Sequence, residues 1–270
     1  MIHPTALIHE SAVIGENVSI GPWTIIGANV VIGAHSHIAS HVVINGPTTL
    51  GKHTKIFQFA SIGEDPQDLK FHGEETRLEV GDNNTFREFT TVHRGTGAGG
   101  GVTRIGNHNL LMAYVHIAHD CIVGDHNIFA NNASLSGHVM IEDYVTMSGF
   151  SAVRQFTRVG VYSFVAGGSM VVKDVLPYLL VSGDPAEPYG LNAIGLQRNG
   201  FSAHTMLMLR KAYKLIFRRN LLLDEVLAAL AVLEKDCVEV KAFIDGIRNS
   251  ARGIARETRR NAIEAIDDID

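Results

Sequence analysis

The sequence is poor in several kinds of residue, and each shortage excludes a class of protein. Only 2 of the 270 residues are cysteine, Cys121 and Cys237, which excludes a disulfide-stapled domain and favours a reducing, cytoplasmic location. No run of about 18 apolar residues is present, so no transmembrane segment is predicted. The start, Met1 to Pro4, lacks the charged region of a signal peptide. A net charge of −5 argues against nucleic acid as a partner.

Aromatic residues are also scarce, at 7%, whereas glycine (27 residues) and histidine (14 residues) are plentiful. An aliphatic residue recurs every six positions, a period that fits neither an amphipathic helix nor a plain alternating strand. This ladder of residues runs through Ile8, Ile14, Ile20, Ile26, Ile32, Ile38, Ile44, Leu50, Ile56 and Ile62, resumes at Val80, Phe86 and Val92, and continues from Ile105 to Val171. The pattern is typical of a hexapeptide-repeat β-helix, in which three hexads close one coil of 18 residues.

Two features of each hexad refine this prediction. Glycine often follows the ladder residue, as at Gly15, Gly33 and Gly51, and we expect it to supply a positive φ at the corners. Two residues before the ladder residue the chain prefers small or β-branched types, such as Val18 and Thr24. These would face a narrow interior, which accounts for the shortage of aromatic residues.

We therefore predict a mainly β fold, a parallel β-helix over residues 1–176 followed by an α-helical region over residues 177–270. Two interruptions of the ladder predict excursion loops at about 64–79 and 94–104. The second loop contains a GxGxxG match, but neither a βαβ unit nor a helix follows, so we interpret it as a flexible excursion. Helices are predicted from Ser202 to about Arg219, from Asp224 onward, and over about 238–249. The charged stretch from about Gly253 is predicted to fray.

The densest polar cluster contains His116, His119 and Asp120. Gly137 follows His119 by 18 residues, so stacking of coils places the imidazole beside the Gly137 backbone. A histidine next to a free N–H is a candidate general base with an oxyanion donor. A metal site drawn from His93, His116, His119 and His138, or plain surface histidines, are alternatives that the spacing leaves open.

Cys121 is a candidate nucleophile beside His119. It lies two residues before Val123, at the small inward position, which favours a packed thiol instead.

Between Pro188 and Leu223 there are six basic residues and no acidic one, which predicts a surface for an acidic partner or a phosphate, with an ordinary solvated helix face as the alternative. The six are Arg198, Arg210, Lys211, Lys214, Arg218 and Arg219.

Several runs together resemble one family. They include Gln-Asp-Leu-Lys at 67–70, Ile-Ala-His-Asp at 117–120, Gly-His-Val at 137–139, Gly-Leu-Asn at 190–192 and Ala-Tyr-Lys-Leu-Ile at 212–216. Over about residues 1–245 the chain resembles the UDP-N-acetylglucosamine O-acyltransferases, which begin lipid A biosynthesis. The resemblance implies a left-handed β-helix and a homotrimer with active sites in the clefts between columns. It implies transfer of a 3-hydroxyacyl chain from acyl carrier protein to the glucosamine 3-hydroxyl, without metal and with no cofactor beyond the phosphopantetheine of acyl carrier protein.

The same resemblance assigns roles to residues. His119 matches the general base and Gly137 the oxyanion donor. Asp120 is a candidate to orient His119, although adjacent residues on a strand point apart. Gly167 matches the position that limits acyl length, and a glycine there implies a medium-to-long chain, although Phe164 and Met170 nearby can also shape that end. Residues matching the substrate site are Gln67, Asp68, Lys70, His93, His116, His138, Gln155, Asn192 and Arg198. The basic helices would receive acyl carrier protein, which is acidic.

Two departures from the family pattern concern the substrate. Arg154 stands where histidine is common, and Asn199 stands where a second arginine often follows. An acceptor with an amine at position 3 therefore stays open, as does a γ-carbonic-anhydrase-like metalloenzyme. The N-acyltransferase of the same pathway is disfavoured because it has an extra N-terminal domain and the hexads here begin almost at Met1. A non-enzymatic scaffold would need neither the Gln67–Lys70 run nor the basic helices.

Overall fold

A computed structural model describes residues 1–256, in which three sheets of short strands form the faces of a triangular column. The first face contains Leu7–Ile8, Ile25–Ile26, Val43–Ile44, Ser61–Glu64, Thr91–His93, His116–Ile117, Ser134–Leu135, Ala152–Val153 and Met170–Val171. The second contains Val13–Ile14, Val30–Ile32, Thr48–Leu50, Arg77–Val80, Val102–Ile105, Ile122–Val123, Met140–Ile141 and Arg158–Val159. The third contains Ser19–Ile20, His37–Ile38, Lys55–Ile56, Thr85–Phe86, Leu110–Leu111, Ile128–Phe129, Thr146–Met147, Phe164–Val165, Leu179–Ser182 and Glu187–Leu191. Successive strands visit the faces in turn, so each coil pairs with the next.

The ladder residues point into the column and form its core. Ile26, Phe86 and Val153 are almost wholly buried, whereas Ile8 is half-buried because it lies in the first coil. The small inward positions are buried too, and the Thr24 hydroxyl is satisfied by donating to the Ala39 carbonyl oxygen at 2.7 Å. The six-residue pattern therefore predicted the orientation of the core side chains correctly.

The corners differ from the prediction. A positive φ is found three residues after the ladder residue, at positions such as Asn17, His35 and Tyr144, which are not glycine. Of the ten glycines that follow a ladder residue, only Gly63 adopts such a conformation (φ 77°). The glycines serve close approach between coils instead. A Cβ atom on Gly33 would lie 2.5 Å from the carbonyl carbon of Gly51, so no side chain fits there.

The left-handed corner residues form three edges of the column. The first edge joins the first and second faces and carries Asp120 and His138; the second edge follows the second face, and the third edge follows the third face. Rings one coil apart stack, with centroids 4.7 Å apart for His108 and His126 on the second edge. Because coils are spaced by about 4.8 Å, the edges suit stacked rings, and many of the aromatic residues lie there rather than inside.

Both excursions leave the column and rejoin it earlier than predicted. The first spans residues 65–76, because Arg77–Val80 already pairs with Thr48–Leu50 in the second face. The second spans 94–101, because Val102–Ile105 pairs with Arg77–Val80. Ladder spacing alone placed the return at Val80 and Ile105, whereas hydrogen bonding begins two or three residues before each.

The column also continues beyond Pro177, where the sequence predicted the join. Leu179–Ser182 pairs in parallel with Phe164–Val165, and Glu187–Leu191 then adds an antiparallel strand. Up to residue 256, four helices follow: α1 (Ala193–Arg198), α2 (Ala203–Phe217), α3 (Leu223–Glu234) and α4 (Lys241–Arg248), with a 3₁₀ turn at Val238–Val240. The division into two domains stays a prediction.

The helix boundaries follow from local capping. Ser202 caps α2 as predicted, since its Oγ accepts from the Thr205 N–H at 3.0 Å. Asp224, predicted to cap the next helix, lies in the first turn of α3 instead, and the Glu225 carboxylate accepts from the Leu222 N–H at 2.8 Å.

The helices pack on the column, where Phe243 of α4 meets the Tyr178 ring edge to face. Within residues 1–256 we find no helix long and apolar enough to cross a bilayer. Most of the stretch predicted to fray, residues 257–270, lies outside the described residues.

The role of the inter-coil glycines can be tested by adding one methyl group. Gly33→Ala should lower the free energy of unfolding by about 1–3 kcal/mol, because the new Cβ meets backbone atoms that cannot move aside. Gly190→Ala is the matched control, since its Cβ would meet nothing within 4 Å. Thermal unfolding measures both, and equal Tm values for the two variants would contradict this account.

Candidate active site on the first edge

The cluster of predicted catalytic residues lies on the first edge, where two consecutive coils turn from the first face to the second. His116–Ile117 pairs with Ser134–Leu135, so the corner after each strand stacks on the other. The His138 N–H donates to the His119 carbonyl oxygen at 3.0 Å. This register places the His119 ring against Gly137, as the 18-residue repeat predicted. A Cβ on Gly137 would lie 2.5 Å from Cε1 and 2.7 Å from Nε2 of His119, so only glycine fits.

The Gly137 N–H adjoins the imidazole and has no acceptor among residues 1–256. An N–H that the fold leaves unpaired beside a candidate base is a donor available to a ligand. The arrangement can therefore accept a proton at a ring nitrogen and stabilise negative charge next to it.

Asp120 turns its carboxylate back towards His119, contrary to the geometry of adjacent residues on a strand. It is a left-handed corner residue (φ 59°), and this brings Oδ2 to 2.8 Å from His119 Nδ1. A carboxylate accepts hydrogen bonds, so the contact assigns the proton to Nδ1 and leaves Nε2 with a lone pair. Nε2 is thus the nitrogen that can act as a base.

Thr96 holds the Asp120 carboxylate from the opposite side. Its N–H donates to Oδ1 at 2.8 Å and its hydroxyl to Oδ2 at 2.6 Å. Gly99 leaves room for this contact, because a Cβ there would lie 2.1 Å from Asp120 Cγ. The glycine-rich excursion, interpreted from the sequence as flexible, is therefore a brace for the aspartate. Neither Thr96 nor Gly99 was predicted as a site residue, although the Thr-x-x-Gly spacing is typical of such a turn, in which the Gly99 N–H donates to Thr96 Oγ1 at 3.1 Å.

Three further histidines surround the pair. The His138 ring meets His119 edge to face, with centroids 5.1 Å apart, and Phe156 stacks on His138 at 4.4 Å. His93 and His116 also meet edge to face, at 4.9 Å, and the hydroxyl of Thr91 lies 2.8 Å from His116 Nδ1.

Burial keeps these three histidines neutral at neutral pH. It lowers the pKa of His93 from the ordinary 6.5 to about 4, with the nearby His116 as the second cause. Burial also lowers the pKa of His116 and of His138. These three imidazoles therefore offer hydrogen-bonding groups around His119 without adding positive charge, which suits a neutral hydroxyl-bearing ligand.

His119, Asp120 and His138 are also the one group of three among the described residues that can hold a metal ion, with ligand atoms within 4.8 Å of one another. Two histidines and a carboxylate are a zinc-like donor set. Asp120 Oδ2 already lies 2.8 Å from His119 Nδ1 and accepts from Thr96, so an ion would displace existing hydrogen bonds.

Cys121 is fully buried, and burial raises its pKa to about 12, in agreement with a packed thiol rather than a nucleophile.

The first excursion brings the Gln67–Lys70 run towards this edge. Asp68 lies close enough for its charge to raise the pKa of His138 against the effect of burial. Its Oδ1 accepts the Lys70 N–H at 3.0 Å, which fixes the turn. Gln67 and Lys70 are exposed, as are Gln155 and Arg154 one coil beyond His138.

Three predicted site residues lie elsewhere on the same chain. Asn192 and Arg198 line a groove of about 620 Å³ on the third face, opposite the first edge of the triangular column. Asn192 caps α1, with Oδ1 accepting from the Gly195 N–H at 3.1 Å, and Asn199 ends that helix by donating to the Gly195 carbonyl oxygen at 2.8 Å. Gly167 lies on the third edge. One chain alone therefore does not unite these residues with His119.

Comparison with known proteins decides the family. Curated acyl-[acyl-carrier-protein]–UDP-N-acetylglucosamine O-acyltransferases of Halorhodospira halophila and Thiobacillus denitrificans are each 50% identical to this chain, over 94% of it and 99% of theirs. The chain belongs to the UDP-N-acetylglucosamine O-acyltransferase family. Solved family structures from Moraxella catarrhalis (51% identity) and Acinetobacter baumannii (49%) superpose with TM-scores of 0.93, covering 94% of this chain and 99% of each of theirs.

Profiles of the acyltransferase family agree with this placement. The second domain of UDP-N-acetylglucosamine O-acyltransferases matches residues 174–255, and hexapeptide repeats match 11–46 and 103–137. The predicted fold class, a left-handed parallel β-helix followed by helices, and the predicted enzyme class, an acyltransferase, are both confirmed.

The depressed pKa of His93 predicts a dependence of stability on pH. Unfolding restores an ordinary pKa of 6.5, so between pH 6.5 and about 4 the unfolded chain binds a proton that the folded chain does not. The free energy of unfolding should therefore fall as pH falls through this window, by up to about 3 kcal/mol from His93. Below about pH 4 this contribution is fully lost.

Urea unfolding between pH 4.5 and 7.5 measures this dependence. His93→Gln should flatten the profile, whereas the exposed-corner control His126→Asn should retain the slope of the unmodified protein. A profile for His93→Gln that parallels the unmodified protein would rule out His93 as the source.

Proposed function

We propose that this protein transfers a 3-hydroxyacyl chain from acyl carrier protein to the glucosamine 3-hydroxyl of UDP-N-acetylglucosamine, with His119 as general base. The observation that carries the mechanism is the His119 ring, whose Nδ1 lies 2.8 Å from Asp120 Oδ2 and which packs against Gly137, a residue whose N–H has no acceptor among residues 1–256. The relatives are named for the same two substrates. The reaction is the one that begins lipid A biosynthesis.

The proposed chemistry needs only proton transfer and charge stabilisation, because a thioester is already an activated acyl donor. Nε2 of His119 takes the proton of the sugar hydroxyl as its oxygen attacks the thioester carbonyl carbon. The carbonyl oxygen becomes an oxyanion that accepts the Gly137 N–H. Collapse of this intermediate breaks the carbon–sulfur bond, and the imidazolium returns its proton to the leaving thiolate. Asp120 is a positioning residue that stabilises the imidazolium through Nδ1.

The resident donors need no metal or further cofactor for these steps. The phosphopantetheine of acyl carrier protein carries the acyl group. Asp68, Lys70 and Gln67 on the first excursion are proposed to bind the sugar nucleotide. The neutral His93, His116 and His138, together with Gln155, line the cleft.

The exposed basic face of α2 supports docking of the acidic carrier protein. Arg210, Lys211 and Lys214 are exposed on its solvent side at helical spacing, and Arg218 is exposed at its C-cap. Gly167 on the third edge is proposed to leave room for a medium-to-long acyl chain.

A trimer would bring the separated residues together. The third edge carries an exposed aromatic row, including Phe59, Phe89 and Phe150 at 50%, 42% and 73% exposure, and such rows mark protein interfaces. Packing three such edges around an axis sets the first face of one chain against the third face of the next. Each cleft would then combine His119 of one chain with Asn192 and Arg198 of its neighbour.

The base can be tested by substitution at His119. His119→Ala should lower kcat with UDP-N-acetylglucosamine and a 3-hydroxyacyl carrier protein by about 10²–10⁴-fold, because the sugar hydroxyl loses its proton acceptor. His126→Asn, on an exposed corner, is the matched control and should keep full activity.

Two outcomes of the same assay would reject the proposal. An unchanged rate for His119→Ala would remove the base. Loss of activity after dialysis against a chelator, with recovery on adding zinc, would favour the metalloenzyme alternative on His119, Asp120 and His138. A faster reaction with a 3-amino UDP-sugar would retain the mechanism but change the acceptor.

The shared cleft predicts complementation between inactive chains. His119→Ala and Arg198→Ala chains, each defective alone, should regain about a quarter of the normal activity when assembled at random in equal amounts, since about one cleft in four pairs two intact surfaces. The unfractionated assembly tests this value, whereas trimers isolated through both of two different tags hold one intact cleft in three and should reach about a third. Activity that stays at the level of the separate variants would place both residues in one chain's site.

A further inference from the structure

Glu74 connects the two excursions. It lies in the first excursion, four residues after Lys70, and its carboxylate bridges two backbone donors. Oε2 accepts the His72 N–H at 2.8 Å and Oε1 accepts the Gly97 N–H of the second excursion at 3.0 Å. These N–H groups hold the pKa of Glu74 below its ordinary 4.5, so the bonds are made by a carboxylate and are stronger than neutral ones.

Two further contacts connect the Glu74–Gly97 hydrogen bond to His119 on the first edge. Gly97 follows Thr96, whose N–H and hydroxyl both bind the Asp120 carboxylate. Asp120 Oδ2 in turn lies 2.8 Å from His119 Nδ1. A displacement of Gly97 would therefore move Thr96 and tilt the carboxylate that orients the base.

We propose that Glu74 is a positioning residue that couples the sugar-nucleotide loop to the Asp120–His119 pair through Gly97 and Thr96. This inference rests on the function proposed above. Asp68 and Lys70 are held in a turn of the same excursion, since the Phe71 N–H also donates to the Asp68 carbonyl oxygen at 2.9 Å. Binding of the sugar nucleotide by this turn would thereby fix Glu74 and align the base at the same moment.

Substitution of Glu74 should therefore impair catalysis more than binding of the acyl donor. Glu74→Ala is expected to lower kcat by about 10-fold or more, because a misaligned base slows proton transfer. The KM for the acyl carrier protein substrate should stay unchanged. Glu74→Gln, which retains one acceptor oxygen, should fall between. Glu75→Ala, at the exposed neighbouring position, is the matched control and should keep the normal kcat.

A double-mutant cycle separates positioning from simple loss of structure. In an Asp120→Asn background, where the carboxylate is already gone, Glu74→Ala should cost less than about twofold in kcat. An undiminished effect in that background, or equal kcat values for Glu74→Ala and Glu75→Ala, would overturn the coupling. Inactive unmodified protein, or full activity of His119→Ala, would instead overturn the proposed function. Thermal unfolding of each variant confirms that the compared proteins are folded.

Discussion

Hydrogen bonding between successive coils is the constraint on which the rest of this structure depends. N–H groups of the parallel strands donate to carbonyl oxygens one coil away, so successive coils must present their backbones in the same register. The register survives both excursions: Ile62 pairs with Val92, and Val92 with Ile117, although more than 18 residues separate each pair. Insertions are tolerated because they leave the column at a corner, where no ladder bond is lost.

The short distance between coils selects the residue at each position. Backbones that approach closely admit only glycine, as at Gly33 and Gly51, while the interior admits the side chains of one ladder residue and one small residue per hexad. The corners adopt a left-handed conformation that is unfavourable for residues with a Cβ. Stacking of their side chains along the edge, as for Tyr144 and Tyr162 at 4.7 Å, offsets part of that cost.

The six-residue repeat fixes which side chains are buried and which way they point. Much of the column could therefore be predicted from the sequence. The inward ladder, the contact of His119 with Gly137 and the thiol packing of Cys121 all follow from counting residues. The corner conformation could not be predicted in this way, since close approach between coils and positive φ both favour glycine in a sequence. The direction of the Asp120 carboxylate was unpredictable for the same reason, because it depends on the left-handed φ of that residue.

The excursions themselves were predicted, but the contacts that they make could not be, because these segments have no period. Thr96, Gly99 and Glu74 act through contacts between segments far apart in sequence, which spacing does not encode. Through the Asp120 carboxylate they nonetheless distinguish His119, the proposed base, from the histidines around it. Of the histidines around the site, His119 lies 2.8 Å from the Asp120 carboxylate and His138 lies 3.7 Å away, while burial lowers the pKa of His93 and His116 and makes them weaker bases. The repeating column thus places several similar imidazoles close together. The Asp120 carboxylate, held by Thr96, distinguishes His119 from the others by its contact with Nδ1. The coils of the column repeat the same backbone geometry, and contacts from the two excursions make one of them chemically different from its neighbours.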